Sequence, residues 1–391
     1  MLNTSLSPWP SFTQEEADAV SKVLLSNKVN YWTGTECREF EKEFATFAGT
    51  QYAVALSNGT LALDVALKAM GIGAGDDVIV TSRTFLASAS CIVTAGANPV
   101  FADVDLNSQN ISAETIKAVL TPNTKAIIVV HLAGMPAEMD GIMDLAKEHD
   151  LWVIEDCAQA HGAKYKGKSV GSIGHVGAWS FCQDKIMTTG GEGGMVTTND
   201  KELWSKMWSY KDHGKSYDAV YHREHAPGFR WLHESFGTNW RMMEMQAVIG
   251  RIQLKRMPEW TARRQAHAAK LAESLGKFAS IRLIEVADYI EHAQYKFYAF
   301  VKPEHLKDGW TRDRIVSELN ARKVPCYQGS CSEVYLEKAF DNTPWRPKER
   351  LKNAVELGDT SLMFLVHPTL TDDEIAFCKE HIEAVLAEAT A

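Results

Sequence analysis

The run Leu151-Trp152-Val153-Ile154-Glu155-Asp156 is a short apolar segment that ends in two acids. Its length and its β-branched residues are typical of a buried strand. Asp156 is therefore predicted to lie at the carboxyl end of a strand. Ligands of open α/β sheets bind just outside the carboxyl ends of the strands, so a functional site is expected at this edge of the sheet.

A second strand-like run spans residues 177–182, and Lys185 follows it closely. The glycine-rich segment 189–194 then leads to a further predicted strand at 195–198. Glycine tolerates the positive φ values that such a tight turn tends to need. An acid at Asp156, a hydroxyl at Ser180 and an amine at Lys185 are therefore expected at one edge of the sheet.

This set of groups matches the needs of pyridoxal 5'-phosphate (PLP). PLP is held by a lysine Schiff base, a carboxylate keeps its ring nitrogen protonated, and the ring accepts the charge of a carbanion. A free lysine amine, with a pKa of about 10.4, is a poor nucleophile near neutrality. A lone lysine after a strand is usually a solvated surface residue. The acid, the serine and the glycine turn around Lys185 favour the PLP interpretation, with Lys185 as the catalytic residue.

Residues 155–194 resemble the signature of the sugar aminotransferases of the DegT/DnrJ/EryC1/StrS family. The resemblance rests on EDCAQAHGAKYKG at 155–167, SFCQDK at 180–185 and the glycine pair at 193–194, and it extends from Asn30 to about Pro368. It implies an α/β chain with the aspartate-aminotransferase fold (PLP fold type I). A large, mostly parallel sheet domain is expected over residues 1–259 and a smaller C-terminal α/β domain over residues 260–391.

A predicted phosphate site follows the short strand at residues 52–56. Ser57-Asn58-Gly59-Thr60 opens a helix, and a helix N-terminus presents unpaired amides to an anion. By itself such a sequence is an ordinary helix cap. The resemblance implies that Gly59 and Thr60 bind the PLP phosphate.

The resemblance assigns further contacts to the cofactor. Phe85 is expected to stack on the pyridine ring, although an aromatic residue after a strand is more often part of the core. Gln159 is expected to bond the phenolic oxygen. Asp156 and Ser180 complete the predicted cofactor site.

The resemblance implies that two other segments contact the partner subunit's cofactor and the sugar substrate. Residues 237–242, GTNWRM, resemble the family's Tyr-Asn-Tyr-Arg-Met motif, so Asn239 is expected to reach the partner's PLP phosphate in a homodimer with shared active sites. Trp32, Thr33 and Gly34 are possible sugar contacts; a turn whose aromatics simply pack is the equal alternative.

The resemblance implies transfer of an amino group from L-glutamate to a nucleotide-diphosphate keto-sugar for surface polysaccharide, lipopolysaccharide or O-antigen biosynthesis. Relatives with histidine at the Lys185 position are dehydratases, so lysine favours amination. The KIMTTG run at 185–190 is similar to enzymes acting on a 4-ketone, whereas many 3-ketone enzymes have Lys-Asn-Leu-Gly. A 4-amino-4,6-dideoxy, UDP-linked product is expected. The alternatives are a 3-ketone enzyme and a PLP-fold regulatory protein without turnover.

Composition excludes several other classes. The 391 residues carry a net charge of −9 without a basic stripe, which argues against nucleic-acid binding. No signal peptide or apolar run of membrane-spanning length is evident, and the seven cysteines lack Cys-x-x-Cys spacing. No metal site is predicted and a cytoplasmic location is expected. A nicotinamide dehydrogenase is disfavoured because no Gly-x-Gly-x-x-Gly follows an early strand.

Overall fold

The computed structural model describes residues 6–225, 227–228 and 230–391. Its strands are β1 (Tyr52–Leu56), β2 (Asp77–Thr81), β3 (Asn98–Ala102), β4 (Thr124–Val130), β5 (Trp152–Asp156), β6 (Lys164–Tyr165), β7 (Lys168–Ser169), β8 (Val176–Ser180), β9 (Gly194–Thr198), β10 (Ile281–Leu283), β11 (Ile290–Glu291), β12 (Phe297–Val301), β13 (Cys326–Tyr327) and β14 (Ser361–Phe364). Its α-helices are α1 (Gln14–Leu25), α2 (Glu36–Ala48), α3 (Gly59–Ala69), α4 (Ala87–Thr94), α5 (Ala113–Lys117), α6 (Met139–Glu148), α7 (Lys201–Tyr210), α8 (Tyr217–Tyr221), α9 (Glu244–Leu275), α10 (Arg312–Ala321), α11 (Lys352–Thr360) and α12 (Asp372–Ala389).

The largest sheet has seven strands in the order β1-β9-β8-β5-β4-β2-β3. The pairs from β8 to β3 are parallel, whereas β9 is antiparallel to both of its neighbours, β8 and β1, so β9 is the one strand of this sheet that runs in the opposite direction. The predicted large, mostly parallel sheet is therefore confirmed. Asp156 is the last residue of β5 and pairs with Val130 of β4 and Ala178 of β8, which places it at the carboxyl edge in the middle of the sheet.

Both faces of this sheet are buried. Along β4, Ala126 and Ile128 pack into one apolar cluster while Ile127 and Val129 pack into another. Side chains alternate between the two faces of a strand, so these clusters lie on opposite sides. Helices cover both faces of such parallel sheets, so successive residues of each strand are apolar.

A second, four-stranded sheet has the order β10-β12-β14-β13 and is antiparallel throughout. Its core includes residues of α10 and α12 and also Leu271 and Leu275 from the end of α9. The start of α9 contributes Ala247 and Met257 to the core of the large sheet. The helix therefore runs from one core to the other. A third sheet, β11-β6-β7, is small.

Helix α9 extends for 32 residues and contains Pro258. The sequence predicts that this proline kinks or divides the helix, because proline removes a helical hydrogen bond. The helix continues through Pro258 as one element. The expected boundary between residues 259 and 260 lies inside this helix, and the two-domain division stays a prediction.

Among the described helices, none combines the length and the apolar character that crossing a membrane requires.

Candidate active site

A cavity of about 650 Å³ opens at the carboxyl ends of β5 and β8, beside the N-terminus of α3. Its size falls in the range of small-molecule and cofactor sites. Seven residues that the sequence singled out lie on its wall: Gly59, Thr60, Phe85, Asp156, Gln159, Ser180 and Lys185. The fold therefore brings together groups that are up to 126 positions apart in the chain.

Asp156 presents a buried carboxylate to this cavity. Its Oδ2 accepts a hydrogen bond from the Ser88 hydroxyl at 2.8 Å, and its Oδ1 accepts one from the Ala158 amide at 3.1 Å. Burial raises the pKa of Asp156, and the hydrogen bonds together with the charge of Lys185 oppose that rise. A cationic partner at the remaining lone pairs would favour the ionised carboxylate further.

Ser88 was not found by sequence reasoning. It lies in the segment after β2, and its contact with Asp156 depends on the order of the strands in the sheet. Its hydroxyl also lies 2.8 Å from the Thr84 hydroxyl, so the carboxylate is fixed by a short polar chain. A serine after a strand carries no local signal for this role.

Lys185 lies in the loop after β8, and its half-buried amine lines the cavity. The backbone is fixed on both sides: its amide donates to the Cys182 carbonyl at 3.1 Å, and its carbonyl accepts the Trp9 indole N–H at 2.8 Å. Its Nζ lies 3.7 Å from Asp184 Oδ1 and 5.3 Å from the ring centroid of Tyr295. The amine is therefore held in place without a tight ion pair and stays accessible to a ligand.

Asp184 is a neighbour that sequence reasoning did not assign. Burial alone would raise the pKa of its carboxyl group, but the charge of Lys185 and a hydrogen bond from the Tyr295 hydroxyl outweigh this, and the pKa lies below its usual value. An ionised Asp184 therefore balances the charge of the lysine.

The N-terminus of α3 forms the opposite wall. Asn58 caps the helix by accepting a hydrogen bond from the Leu61 amide at 3.0 Å. A Cβ at Gly59 would lie 2.5 Å from Cβ of Ser180, and one at Gly194 would lie 2.2 Å from the Asn58 carbonyl oxygen. These glycines let β8, β9 and the helix N-terminus approach closely, which leaves amides and the Thr60 hydroxyl beside the cavity.

Gly194→Ala is expected to disturb this wall. The added Cβ meets the backbone carbonyl of Asn58 at 2.2 Å, so the strand or the helix N-terminus must move. We expect a loss of about 1–3 kcal/mol in the free energy of unfolding, together with weaker PLP binding, measured by urea denaturation and by cofactor titration. Gly73→Ala is the control, since its Cβ has its nearest contact at 3.7 Å, and it should change stability by less than about 0.5 kcal/mol. Equal behaviour of the two variants would contradict this account.

Phe85 lies on the cavity wall with 70% of its surface exposed, so its ring is not used as ordinary core. The buried side chain of Arg83 anchors the segment that contains Phe85. Its Nε donates a hydrogen bond to Gln109 at 3.1 Å, and its Nη2 donates one to Ser361 at 3.2 Å. Ser361 belongs to the four-stranded sheet. The position of Phe85 therefore depends on both sheets, and its stacking on the cofactor stays a prediction.

Gln159 is buried, and its Oε1 accepts a hydrogen bond from the Ala133 amide at 2.8 Å. This bond orients the side-chain amide so that its oxygen is committed to the protein. The nitrogen remains a donor for an acceptor in the cavity. The predicted bond to the phenolic oxygen fits this polarity and stays a prediction.

Trp32, Thr33, Gly34 and Asn239 do not line this cavity within one chain. The Trp32 indole N–H donates to Asp212 Oδ1 at 3.3 Å, and Asn239 is exposed and its backbone pairs with that of Asp212. Thr33 is also exposed. The predicted substrate segment and the predicted cross-dimer asparagine therefore meet at Asp212, and their roles stay predictions.

Asp212 was missed by sequence reasoning. It is fully buried and also receives Arg241 Nη1 at 2.8 Å and Lys215 Nζ at 3.1 Å. A buried carboxylate needs such partners, because an unpaired charge is costly to bury.

Gly34 lies against the buried side chain of Glu244. A Cβ at Gly34 would lie 2.2 Å from that carboxylate, so the absence of a side chain allows this close approach.

His131 and Glu155 form a buried pair behind the site, with Nε2 and Oε2 2.9 Å apart. The other ring nitrogen accepts the Ala137 amide at 3.1 Å, and the carboxylate also accepts three backbone amides from residues 171–174. Together with Cys157 they could approach a metal ion. Their hydrogen-bonding capacity is already used, which makes them a structural support.

The residues on the cavity wall fit PLP. A phosphate needs amides and hydroxyls at a helix N-terminus, a protonated pyridine nitrogen needs a carboxylate, and an aldehyde needs an amine. Gly59 and Thr60, Asp156, and Lys185 supply these groups around one cavity.

Comparisons with known proteins agree with this chemistry. The model of the DegT/DnrJ/EryC1/StrS aminotransferase family matches residues 10–383. The X-ray structure of an aminotransferase from Psychrobacter cryohalolentis is 66% identical and superposes with a TM-score of 0.96 over 98% of this chain and 99% of that one. GDP-perosamine synthase of Escherichia coli O157:H7 is 42% identical over 95% of this chain and 96% of that protein.

The UDP-N-acetyl-3-dehydro-alpha-D-glucosamine 3-aminotransferase of Acidithiobacillus ferrooxidans is also 42% identical, over 91% of this chain and 90% of that protein. The predicted fold type and the dependence on PLP are confirmed. The chain is an aminotransferase that belongs to the DegT/DnrJ/EryC1/StrS family.

Proposed function

We propose that the enzyme transfers the amino group of L-glutamate to a keto-sugar carried by a nucleoside diphosphate. The observation that carries this proposal is the placement of Lys185 and Asp156 on the wall of one cavity, with the α3 N-terminus beside them. Relatives at 42% identity bear names that specify a GDP-sugar and a UDP-sugar, which supports the substrate class.

When bound, PLP supplies an electron sink for the carbanion that forms at the α-carbon of the amino donor. Lys185, on the cavity wall, would be the group that accepts and returns the proton at the α-carbon of the donor and later at the sugar carbon. Asp156 keeps the proton on the pyridine nitrogen, and its bonds from Ser88 and Ala158 hold the carboxylate in place for this task.

The other wall residues position the reactants. Gly59, Thr60 and Ser180 line the cavity at the α3 N-terminus and would hold the phosphate of PLP, which would position the cofactor relative to Lys185. Phe85 lies on the same wall and would stack on the pyridine ring. A buried, oriented site strengthens each electrostatic contact made inside it.

We place the amination at a 4-ketone, giving a 4-amino-4,6-dideoxy sugar on UDP for surface glycan, lipopolysaccharide or O-antigen biosynthesis. The support is the KIMTTG run at 185–190, which is similar to 4-ketone enzymes. A 3-ketone is the second candidate, because relatives at 42% and 35% identity bear 3-amino-sugar names.

We further propose a cytoplasmic homodimer in which Asn239 reaches the partner's cofactor phosphate. The exposed position of Asn239 and its absence from the wall of its own chain's cavity support this arrangement.

A panel of purified UDP-, dTDP- and GDP-linked 3-keto and 4-keto sugars, each incubated with holoenzyme and glutamate, tests the proposal. We expect mass spectrometry to show an amino sugar with the 4-ketone on UDP. Product from only the 3-ketones would overturn the position of amination. No product from any member would overturn the substrate class.

A further inference from the structure

Three acidic side chains lie on the wall of the active-site cavity: Asp156, Asp184 and Glu192. Asp156 is assigned to the pyridine nitrogen of the cofactor. Asp184 balances the charge of Lys185, whose Nζ lies 3.7 Å from its Oδ1. Glu192 is the third of these acids, and it has no role in the proposed transfer of the amino group.

Glu192 has spare capacity to accept hydrogen bonds. Its Oε1 lies 3.8 Å from Sγ of Cys182, and a thiol is a weak donor. Burial, followed by the charge of Glu192, raises the pKa of this thiol, so the thiol stays protonated near pH 7. Among the residues that the structure describes, no cation forms an ion pair with Glu192. An ionised carboxylate can accept about four hydrogen bonds, so most of this capacity is open to a ligand.

The turn that contains Glu192 is joined to the loop that contains Lys185. The Glu192 carbonyl accepts a hydrogen bond from the Thr189 hydroxyl at 2.6 Å, which fixes the backbone of the turn. Cys182 forms a backbone bridge with the same turn, and its carbonyl accepts the Lys185 amide at 3.1 Å. The carboxylate of Glu192 is therefore held on the cavity wall by the same local framework as the reacting amine.

The negative charge of Glu192 decides which part of a reactant fits beside it. The diphosphate of a nucleotide-sugar, the phosphate of PLP and the carboxylates of glutamate are anionic, and like charges repel. The sugar ring is neutral, and its hydroxyl groups donate hydrogen bonds that an ionised acceptor makes about twice as strong. The nucleobase lies beyond the diphosphate, whereas the sugar carbon that is aminated must reach Lys185. The sugar ring is therefore the part of the reactants that suits this wall.

We propose that Glu192 accepts a hydrogen bond from a hydroxyl group of the sugar ring. This inference rests on the proposed function, because it assigns a further residue to the keto-sugar in the same cavity. Glu192 is then a specificity-determining residue, since a site that hydrogen-bonds a hydroxyl group rejects an analogue that lacks it.

Calorimetric titration of the holoenzyme with UDP-glucose, dTDP-glucose and GDP-mannose measures this contact without turnover, because these sugars have hydroxyl groups and no ketone. Glu192→Ala should bind at least one of them about 10-fold more weakly than wild type does. It should bind UDP, dTDP and GDP no more weakly. Glu192→Gln should lie between Glu192→Ala and wild type, because its amide oxygen still accepts a hydrogen bond but has no charge.

Glu148→Ala is the matched control. It removes one exposed acid at the end of α6, outside the cavity wall, and should bind every probe as wild type does. An unchanged PLP absorbance spectrum and melting temperature would show that each variant is folded.

The half-reaction with glutamate separates a sugar contact from a structural role. No sugar takes part in it, so Glu192→Ala should lose the PLP absorbance band at the wild-type rate when glutamate is added. A slower half-reaction would assign Glu192 to the amino donor or to the structure of the turn, and would overturn the inference.

The titrations can also contradict the sugar contact. Unchanged affinity of Glu192→Ala for all three nucleotide-sugars would overturn it, as would wild-type enzyme that binds none of them. An equal loss of affinity for the nucleotides alone would assign Glu192 to the nucleotide instead. The keto-sugar panel is independent of these results: weaker sugar binding in Glu192→Ala would support the contact even if no keto-sugar were aminated. Conversely, successful amination with unchanged sugar affinity in that variant would overturn the contact alone.

Discussion

Lys185→Ala is expected to lower the rate of amino transfer by about 10⁴-fold. The variant lacks the amine that moves the proton, and no other described amine lies on the wall of the cavity. The phosphate wall at α3 and the carboxylate of Asp156 remain, so the protein should still bind PLP, without a covalent bond. Stopped-flow absorbance after mixing the PLP-loaded protein with glutamate measures this step directly.

Lys206→Ala is the matched control, since this lysine is exposed and pairs with Glu202 on α7. It should react as wild type does. An added primary amine should partly restore proton transfer in Lys185→Ala if the missing amine is the cause. Full activity of Lys185→Ala without such an addition would show that another residue performs the step.

Asp156→Asn is expected to lower kcat by about 10²- to 10³-fold, the range seen when one electrostatic partner of a developing charge is removed. The amide is nearly the same size as the carboxylate, so the fold should be kept. It cannot hold the proton on the pyridine nitrogen, and the ring then accepts less of the carbanion's charge. The half-reaction with glutamate, followed by the loss of the PLP absorbance band, measures the effect.

Ser88→Ala separates the charge of Asp156 from its orientation. The variant removes the 2.8 Å hydrogen bond to Oδ2 but keeps the negative charge. It should lower kcat far less than Asp156→Asn does. If both variants lost activity equally, orientation and not charge would be the contribution of Asp156.

Local motifs made the centre of the site predictable. Asp156 ends a run whose apolar composition predicts a strand, and Gly59 and Thr60 follow a strand and open a helix. Each of these features depends on a few neighbouring residues, and the structure places them on one cavity wall as expected. Lys185 could be predicted only together with Asp156, Ser180 and the glycine turn, because a single lysine after a strand has no distinctive pattern.

The residues that orient the site could not be predicted from the sequence, because they act through contacts between distant parts of the chain. Ser88 bonds Asp156 across 68 positions of the chain, and Trp32 bonds Asp212 across 180. Arg83 reaches Ser361 in the other sheet. No periodicity links such pairs, so the residues that orient the site appear only after the strands are arranged.

Backbone geometry decides where one strand begins. The sequence predicts a strand near Gln294 to Val301, and the structure has β12 at Phe297–Val301. Gln294 has a φ of 50°, which lies outside the extended region, so the chain turns before the strand starts. The turn precedes Tyr295, whose ring centroid lies 5.3 Å from Nζ of Lys185, and composition does not predict it.

Borohydride reduction of the purified holoenzyme, followed by peptide mass mapping, tests most directly whether PLP is joined to Lys185. We expect one stoichiometric modification with the mass of reduced PLP on the peptide that contains Lys185, and none in Lys185→Ala. Modification of a different lysine instead, or an unmodified Lys185 in protein saturated with PLP, would contradict the account.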